Sequence, residues 1–187
     1  MGSGQPSRVE TPKPISIPAA VREILRRIDR FDREFSARVE RARLPEVLRL
    51  GAHHYSEAGE RLPWVLAAVA AGAALDRRRR PAWRHANRAV VIAWAIDRAI
   101  KHLVARDRPP TALVDKADKR RSPSFPSSHT TTALVMARVY SPLLPRMPLH
   151  AIAASQAVAR LVANVHYPSD VVAGIGLGLV ASRAGRR

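Results

Sequence analysis

The sequence predicts an all-α fold, a bundle of helices that forms one domain. Three observations support this prediction: helical periodicity near the N-terminus, five apolar segments of helical length after it, and no strand-like alternation of useful length. A chain of 187 residues is long enough for one domain with a real core and too short for two comfortable ones.

The chain begins with a polar tail and an amphipathic helix. Residues 1–17 are rich in Pro, Ser and Gly, so we expect a disordered tail. Residues 18–45 form the predicted amphipathic helix, in which arginines and acids surround an apolar stripe. Such a helix suits a membrane interface, a packed position over a bundle or a contact with nucleic acid. We favour the interface, because the arginines would then meet lipid head groups. The stripe consists of Val21, Ile24, Leu25, Ile28, Phe31, Phe35 and Val39.

The remaining residues, 46–187, are predicted to form one helical domain. Its apolar segments lie at residues 62–76, 82–105, 127–144, 147–165 and 169–184. The cleanest run, Leu62 to Leu75, is shorter than the roughly 18 to 20 residues that span a bilayer alone, and charges interrupt others. Composition therefore leaves open a soluble protein with Ala-rich buried helices. Three glycines near the end, Gly174, Gly176 and Gly178, suit close helix packing in lipid.

Charge and cysteine content narrow the classes of partner and site. The formal net charge of +17 indicates a polyanionic partner, either nucleic acid or an anionic membrane surface. Because the chain has no cysteine, disulfides and thiolate metal sites are excluded.

Two polar clusters lie where predicted helices end or begin. Lys101 is followed after six residues by Arg108, and this pair could grip one anion from two sides. Further along, Pro126 precedes Ser127, Ser128 and His129 at the start of a predicted helix. First-turn backbone amides are unpaired donors that, with the helix dipole, bind phosphate. The simpler alternative is an N-capping serine before a surface helix.

The third cluster consists of Arg160, His166 and Asp170. Arg160 lies inside an otherwise apolar helix, where a charge is costly unless it faces a site. Asp170 opens the next helix, close enough to hydrogen-bond one imidazole nitrogen of His166. A carboxylate there fixes the tautomer and leaves the other nitrogen as a nucleophile.

Together the three clusters suit phosphoryl transfer. Three cations and several backbone donors would hold the phosphoryl oxygens, where charge develops. One histidine would attack phosphorus in line, and another would protonate the leaving alkoxide. The set lacks the carboxylate cluster that magnesium phosphatases need, so we expect neither a metal nor a cofactor.

These clusters resemble the three signature motifs of the type 2 phosphatidic acid phosphatase superfamily, which also includes vanadium haloperoxidases. The resemblance covers roughly residues 60 to 184 and keeps motif order and internal spacing. Two positions depart from the family pattern. Ser128 stands where the second motif usually has glycine, which requires helical dihedrals there, and Ala159 replaces a serine before Arg160, which removes a minor donor.

The resemblance implies a role for each residue. His166 is the expected nucleophile, Asp170 its orienting partner and His129 the general acid. Phosphate would be bound by Lys101, Arg108, Arg160 and the amides around Ser127 and Ser128. The family also implies an integral-membrane bundle of about five spanning helices, with the site at one membrane face and the amphipathic helix at the interface.

The resemblance also narrows the substrate and partners. In size, in its Pro-Ser-small-His motif and in its HYPSDVVAG ending, the chain is similar to small phosphatases that act on decaprenylphosphoryl phosphoribose. We therefore expect a lipid phosphate substrate and membrane lipids as partners, and no nucleic acid. Other candidate substrates are undecaprenyl diphosphate, phosphatidylglycerol phosphate, phosphatidic acid and its diphosphate. Oligomeric state is left open.

The family resemblance implies a multi-pass protein of the plasma membrane whose site faces the extracytoplasmic side. The basic runs at 77–80 and 183–187 fall on the side opposite the motifs, which agrees with the positive-inside rule. The basic loop at 116–121 and the arginine-rich helix lie on the motif side and conflict with it.

Three other functions compete with this interpretation. A basic helical nucleic-acid-binding protein explains the charge but not the ordered motifs. A serine hydrolase built on Ser128, His129 and Asp170 is disfavoured, because adjacent helical side chains diverge by about 100°. A vanadium haloperoxidase is disfavoured by the apolar segments.

Overall fold

The computed structural model describes residues 18–58, 62–111 and 122–184, and every regular element in these ranges is a helix. This confirms the all-α fold class. The expected disordered tail at 1–17 and the basic residues at 116–121 lie outside the described ranges. The α-helices are α1 (Ala19–Arg41), α2 (Glu46–Ala58), α3 (Leu62–Leu75), α4 (Arg80–Val104), α5 (Ser128–Tyr140), α6 (Arg146–Val162) and α7 (Pro168–Ala184), with a 3-10 turn at Arg77–Arg79 before α4.

The helix boundaries lie within four residues of the predicted segments, and one helix was not predicted. Helix α5 ends four residues early, because the amides of Leu143 and Leu144 both turn back to the Tyr140 carbonyl, at 2.8 and 2.9 Å. Helix α2 was not predicted, since the segment is only 13 residues long and mixes its apolar residues with glycine, histidine and charges. It begins directly after Pro45, whose carbonyl accepts the amides of Leu48 and Arg49.

Helix α5 lies at the centre of the bundle and packs against α4, α6 and α7. Because these helices alternate in direction, the end of α4, the start of α5, the end of α6 and the start of α7 meet at one end of the bundle. The apolar core occupies the other half. There the Trp83 ring lies 5.8 Å from the Tyr140 ring, and Val90 and Val135 are buried beside them. One end of the bundle is thus left to polar side chains.

Two glycines of α7 let it approach α5 closely. A Cβ at Gly174 would lie 2.8 Å from the Ser127 carbonyl oxygen, and one at Gly178 would lie 3.1 Å from the Thr131 carbonyl oxygen. At Gly176 nothing lies within 4 Å. The predicted role in close packing therefore holds for the first and third glycines and is wrong for the second.

The bundle buries several charged and polar side chains and exposes large apolar side chains on its outer surface. Buried charged and polar side chains include Asp97, Lys101, Gln156 and Arg160. Large apolar side chains point outward from α4, α6 and α7, namely Val91, Ile92, Trp94, Ile96, Ile152, Val158, Val172, Ile175 and Val180. Among the described residues, no single helix combines the length and the apolar character needed to cross a membrane.

Helix α1 presents its polar side to the protein and its apolar stripe outward. Val21, Ile24 and Phe31 are 42–57% exposed, whereas Asp32 and Ser36 are buried. Polar contacts join α1 to the polar end of the bundle, where Asp32 accepts the Ser169 amide at 3.0 Å. An amphipathic helix on a water-soluble core normally packs the opposite way.

Candidate active site

The eight residues predicted for the site come from elements that meet at the polar end of the bundle. The end of α4 supplies Lys101 and the loop after it supplies Arg108. The start of α5 carries Ser128 and His129, with Ser127 as its N-terminal cap residue. Arg160 lies in the last turn of α6, His166 in the following loop and Asp170 in the first turn of α7. Six of the eight are buried, namely Lys101, Ser127, His129, Arg160, His166 and Asp170.

His166 is held between a cation and a carboxylate. Its Nε2 lies 3.1 Å from a terminal nitrogen of Arg108, and its Nδ1 lies 3.5 Å from Oδ2 of Asp170. Because a guanidinium has donors only, Nε2 must carry the lone pair and the neutral ring must be protonated on Nδ1. The longer distance is an ion-pair separation without hydrogen-bond geometry. This arrangement leaves the ring's lone pair on Nε2.

Burial and nearby positive charge keep the His166 ring neutral. The ring is 1% exposed, and its removal from water lowers its pKa well below the usual 6.5. Arg108, Arg160 and Lys101, in that order, lower the pKa further by charge repulsion, and His129 adds to the effect. Of these four groups, Arg108 contacts the ring directly.

Arg160 links the second histidine to helix α2. One of its terminal nitrogens contacts the His129 ring, and the other donates to Oε1 of Glu57 at 3.0 Å. Glu57 fixes the guanidinium from the side away from the ring. The sequence analysis missed this role, because α2 itself was not predicted.

Lys101 and Arg108 also hold the loop before α5. Lys101 donates from Nζ to the carbonyls of Pro123 and Pro126, at 2.8 and 2.6 Å. Arg108 donates to the Ser122 carbonyl at 3.1 Å and to the Val165 carbonyl at 3.0 Å. Both cations are thus fixed by backbone carbonyls, and Arg108 also contacts His166.

The contacts of Ser127 and Ser128 differ from the expected phosphate-binding geometry. The Ser127 amide, expected to be unpaired, donates to the Asp170 carbonyl at 3.0 Å, so this expectation is wrong. The Ser128 hydroxyl donates to Oδ2 of buried Asp97. Ser128 is therefore turned toward α4, and it forms no serine-hydrolase triad with His129 and Asp170. Asp97 lies four residues before Lys101 on one helix face, a signal that the sequence analysis recorded only as an interruption.

Asp170 is fixed by groups that the motifs do not include. Its Oδ1 accepts a hydrogen bond from Arg106 at 2.8 Å, and its Oδ2 accepts the Tyr167 amide at 3.0 Å. Arg106 also donates to Asp32 of α1 at 2.8 Å. Sequence reasoning missed both Arg106 and Asp32. No spacing rule points to Asp32, which lies 138 positions before Asp170.

The His, Cys, Asp and Glu side chains of the described residues form no group of three that could hold a metal ion. The polar end of the bundle holds three cations, two histidines and one carboxylate 3.5 Å from the His166 ring. This combination can bind a phosphoryl group and offer it a neutral imidazole.

Comparison with known proteins identifies the family. Residues 82–186 match the model of the PAP2 superfamily. Decaprenylphosphoryl-5-phosphoribose phosphatase from Mycobacterium tuberculosis is 37% identical over 133 residues, which cover 68% of this chain and 71% of that protein. The enzyme of the same description from Mycolicibacterium smegmatis is 35% identical over 128 residues, covering 66% of this chain and 69% of that protein.

Two solved structures share the fold. A transmembrane PAP2 type phosphatidylglycerolphosphate phosphatase from Bacillus subtilis has a TM-score of 0.67 and 22% identity, covering 90% of this chain and 86% of that one. LpxE from Aquifex aeolicus has a TM-score of 0.61 and 22% identity, covering 81% and 92%. With a family match over more than half of its length and a curated relative 37% identical, this chain belongs to the PAP2 superfamily.

Proposed function

We propose that this protein is a metal-independent lipid phosphate phosphatase that hydrolyses a phosphomonoester through a phosphohistidine intermediate. The observation that carries the proposal is the pair of histidines set among three cations. His166 contacts Arg108, His129 contacts Arg160, and charges from both arginines and Lys101 reach the His166 ring. The curated relatives are named as phosphatases, which supports this class of reaction.

In the first step, Nε2 of His166 attacks phosphorus. An N–P bond forms as the P–O bond of the phosphomonoester breaks, and the alkoxide that leaves takes a proton from His129. Arg108 leaves the ring nitrogen and turns to a phosphoryl oxygen, as Arg160 and Lys101 stabilise the remaining charge. The Nδ1 proton of His166 then faces Asp170, whose carboxylate stabilises the cationic ring.

In the second step, water attacks the phosphohistidine. His129, now neutral, takes a proton from that water as the new P–O bond forms. The N–P bond breaks and returns the electron pair to Nε2. Inorganic phosphate leaves with the proton balance restored, so neither a metal nor an external cofactor takes part.

We propose a polyprenyl-linked phosphoribose as the substrate. Support comes from the 37% and 35% identical relatives, both named for decaprenylphosphoryl-5-phosphoribose. A groove of about 840 Å³ between α2 and α6 provides room for an apolar chain. It is lined mainly by apolar side chains and reaches Ala159, the residue before Arg160. The lining residues include Pro45, Val47, Leu48, Gly51, Ala52, Val158 and Val162.

We propose that α3–α7 are embedded in the plasma membrane as five segments, with α1 at the interface. The outward apolar side chains of α4, α6 and α7 support this arrangement, because contiguous exposed apolar surface indicates contact with lipid or protein. The exposed apolar stripe of α1 supports its seat at the interface. The basic turn Arg77–Arg79 lies at the end opposite the site, which favours an extracytoplasmic site by the positive-inside rule.

The decisive experiment measures phosphate release in detergent with EDTA across polyprenyl and glycerolipid phosphates. We expect polyprenyl-linked phosphoribosyl phosphate to turn over fastest and EDTA to have no effect. His166→Ala and His129→Ala should each abolish turnover while leaving the bundle folded. The matched control is His102→Ala, an exposed histidine next to Lys101, which should retain activity. Appreciable turnover by purified His166→Ala would end the covalent mechanism.

A further inference from the structure

A single guanidinium outside the three motifs joins two fully buried carboxylates. Arg106 donates from one terminal nitrogen to Oδ1 of Asp170 and from the other to Oδ2 of Asp32, both at 2.8 Å. Both aspartates are 0% exposed. Burying a carboxylate costs several kcal/mol unless it is paired and hydrogen-bonded. The two buried aspartates therefore depend on the same cation.

Asp32 also holds the first turn of α7, although it belongs to α1. Its Oδ1 accepts the Ser169 amide at 3.0 Å, and its Oδ2 accepts the Ser169 hydroxyl. The amide is one of the first-turn donors that a helix cannot satisfy by itself. Arg106 donates to the same hydroxyl at 2.8 Å and lies 4.2 Å from the centre of the Tyr167 ring. Contacts of α1 and Arg106 thus fix the segment that joins His166 to Asp170.

Because Arg106 binds both aspartates, it pairs with only one carboxylate oxygen of Asp170. A guanidinium can take both oxygens of one carboxylate in a bidentate pair. Here Asp32 occupies one terminal nitrogen, so Arg106 takes only Oδ1 of Asp170. Oδ2 is left to the Tyr167 amide and to Nδ1 of His166, at 3.0 and 3.5 Å. Without Asp32, Arg106 would be able to take Oδ2 as well.

We propose that Asp32 and Arg106 are positioning residues that act through Asp170 on His166. This inference rests on the proposed function, since it assigns the orientation of the nucleophile. Asp32 keeps Arg106 monodentate toward Asp170, and Arg106 keeps the carboxylate turned so that Oδ2 faces the imidazole. Helix α1 is by this inference part of the active site, in addition to any contact it makes with lipid.

The first test compares Asp32→Asn with Asp29→Asn. Asp29 lies on the same helix with its carboxylate 3.6 Å from the same guanidinium, but its side chain is 43% exposed. We expect Asp32→Asn to lower kcat about 10- to 100-fold with KM within about twofold, because its partners fix a reacting group without touching substrate. Asp29→Asn should stay within about twofold. Equal effects of the two substitutions would overturn the inference.

A double-mutant cycle separates positioning from a purely structural role. If Asp32 acts through Asp170, then adding Asp32→Asn to Asp170→Asn should lower residual kcat by less than about twofold. A further 10-fold loss in that background would contradict the inference. Arg106→Lys provides a second variant in case Asp32→Asn folds poorly. It keeps the charge but cannot bridge two carboxylates, so the same fall in kcat is expected.

A readout without turnover distinguishes this inference from the proposed function. In a ¹⁵N-histidine NMR spectrum, wild-type His166 should be protonated on Nδ1, and Asp32→Asn should reduce that tautomer, whereas Asp29→Asn should not. A tautomer shift in a protein without phosphatase activity would support the positioning role and overturn the function. An active wild type whose His166 signal is identical in Asp32→Asn would do the reverse.

Discussion

The contact between α7 and α5 gives opposite predictions for two glycines two residues apart. A Cβ at Gly174 would lie 2.8 Å from the Ser127 carbonyl oxygen, about 0.6 Å short of the 3.4 Å at which ordinary contact begins. It would also meet the Thr130 Cβ at 3.2 Å. Neither neighbour can rotate away, because one is backbone and the other begins a branched side chain. Helix α7 must therefore move away from α5.

The expected size of this effect follows from the cost of overpacking. Inserting a methyl group into a tight core costs about 1–3 kcal/mol, and in a domain of this size each kcal/mol shifts the melting temperature by about 2–4 °C. Gly174→Ala should therefore lower the melting temperature in detergent by roughly 3–10 °C. It should also lower kcat about 10-fold, because moving α7 away from α5 would disturb the 3.0 Å hydrogen bond from the Ser127 amide to the Asp170 carbonyl.

The matched control is Gly176→Ala. Since nothing lies within 4 Å of that position, the added methyl group meets no neighbour. Replacing glycine by alanine inside a helix gains about 0.5–1 kcal/mol, so the melting temperature should rise by about 2–3 °C with kcat unchanged. Differential scanning fluorimetry and phosphate release on both variants provide the comparison. If both variants melt at the wild-type temperature or above, the close approach of α7 to α5 is refuted.

Three further predictions concern the site and the groove. Arg108→Lys should raise KM and lower kcat at least about 10-fold, because an ammonium cannot replace the fork that contacts His166 and two carbonyls; unchanged steady-state kinetics would contradict this. Burial and neighbouring cations lower the pKa of His166, so below about pH 6.5 the unfolded chain binds a proton at this residue that the folded chain does not bind. The free energy of unfolding therefore decreases as the pH is lowered, by up to about 1.4 kcal/mol per pH unit. His166→Asn should lose this portion when denaturant titrations at pH 7 and pH 5.5 are compared, and equal pH slopes would argue against a neutral buried ring. Gly51→Leu should raise KM several-fold for a polyprenyl substrate and leave a short-chain phosphate ester unaffected, since position 51 lines the groove and has no neighbour within 4 Å of an added Cβ; equal KM changes for both substrates would count against the groove as the chain site.

The sequence predicted the helices well where long apolar runs are bounded by residues that end helices. Prolines and basic turns bound the segments that became α3 to α7, and the structure differs from the prediction there by a few residues. Helix α2 was not predicted because it has only 13 residues, among them glycine, two histidines and charged residues. Its contribution to the site, Glu57, depends on a tertiary contact with Arg160 across 103 positions.

The candidate site was predictable because each motif keeps its chemistry within a few residues at a helix end. The motifs indicated the superfamily and its phosphatase class, and the comparisons confirm both. Local reasoning failed where the partner lies on another element. Ser127 was expected to offer a free amide, yet that amide binds the Asp170 carbonyl of α7. Arg106 was not singled out from the sequence, because only the folded chain places it between Asp32 and Asp170.

Because of the orientation of α1, the geometry of the candidate site depends on whether water or lipid surrounds the protein. One side of this helix carries bare apolar residues such as Ile24 and Phe31, and the other inserts Asp32 beside Arg106. In water, burying the apolar side of α1 against the bundle would lower the free energy, but the rotation of the helix that this requires would withdraw Asp32 from α7. In a lipid environment the apolar side is already removed from water, so rotation of the helix brings no further gain in free energy. A bilayer or a suitable detergent would thus preserve the position of Asp32, and with it the alignment of the proposed nucleophile, as well as the solubility of the chain.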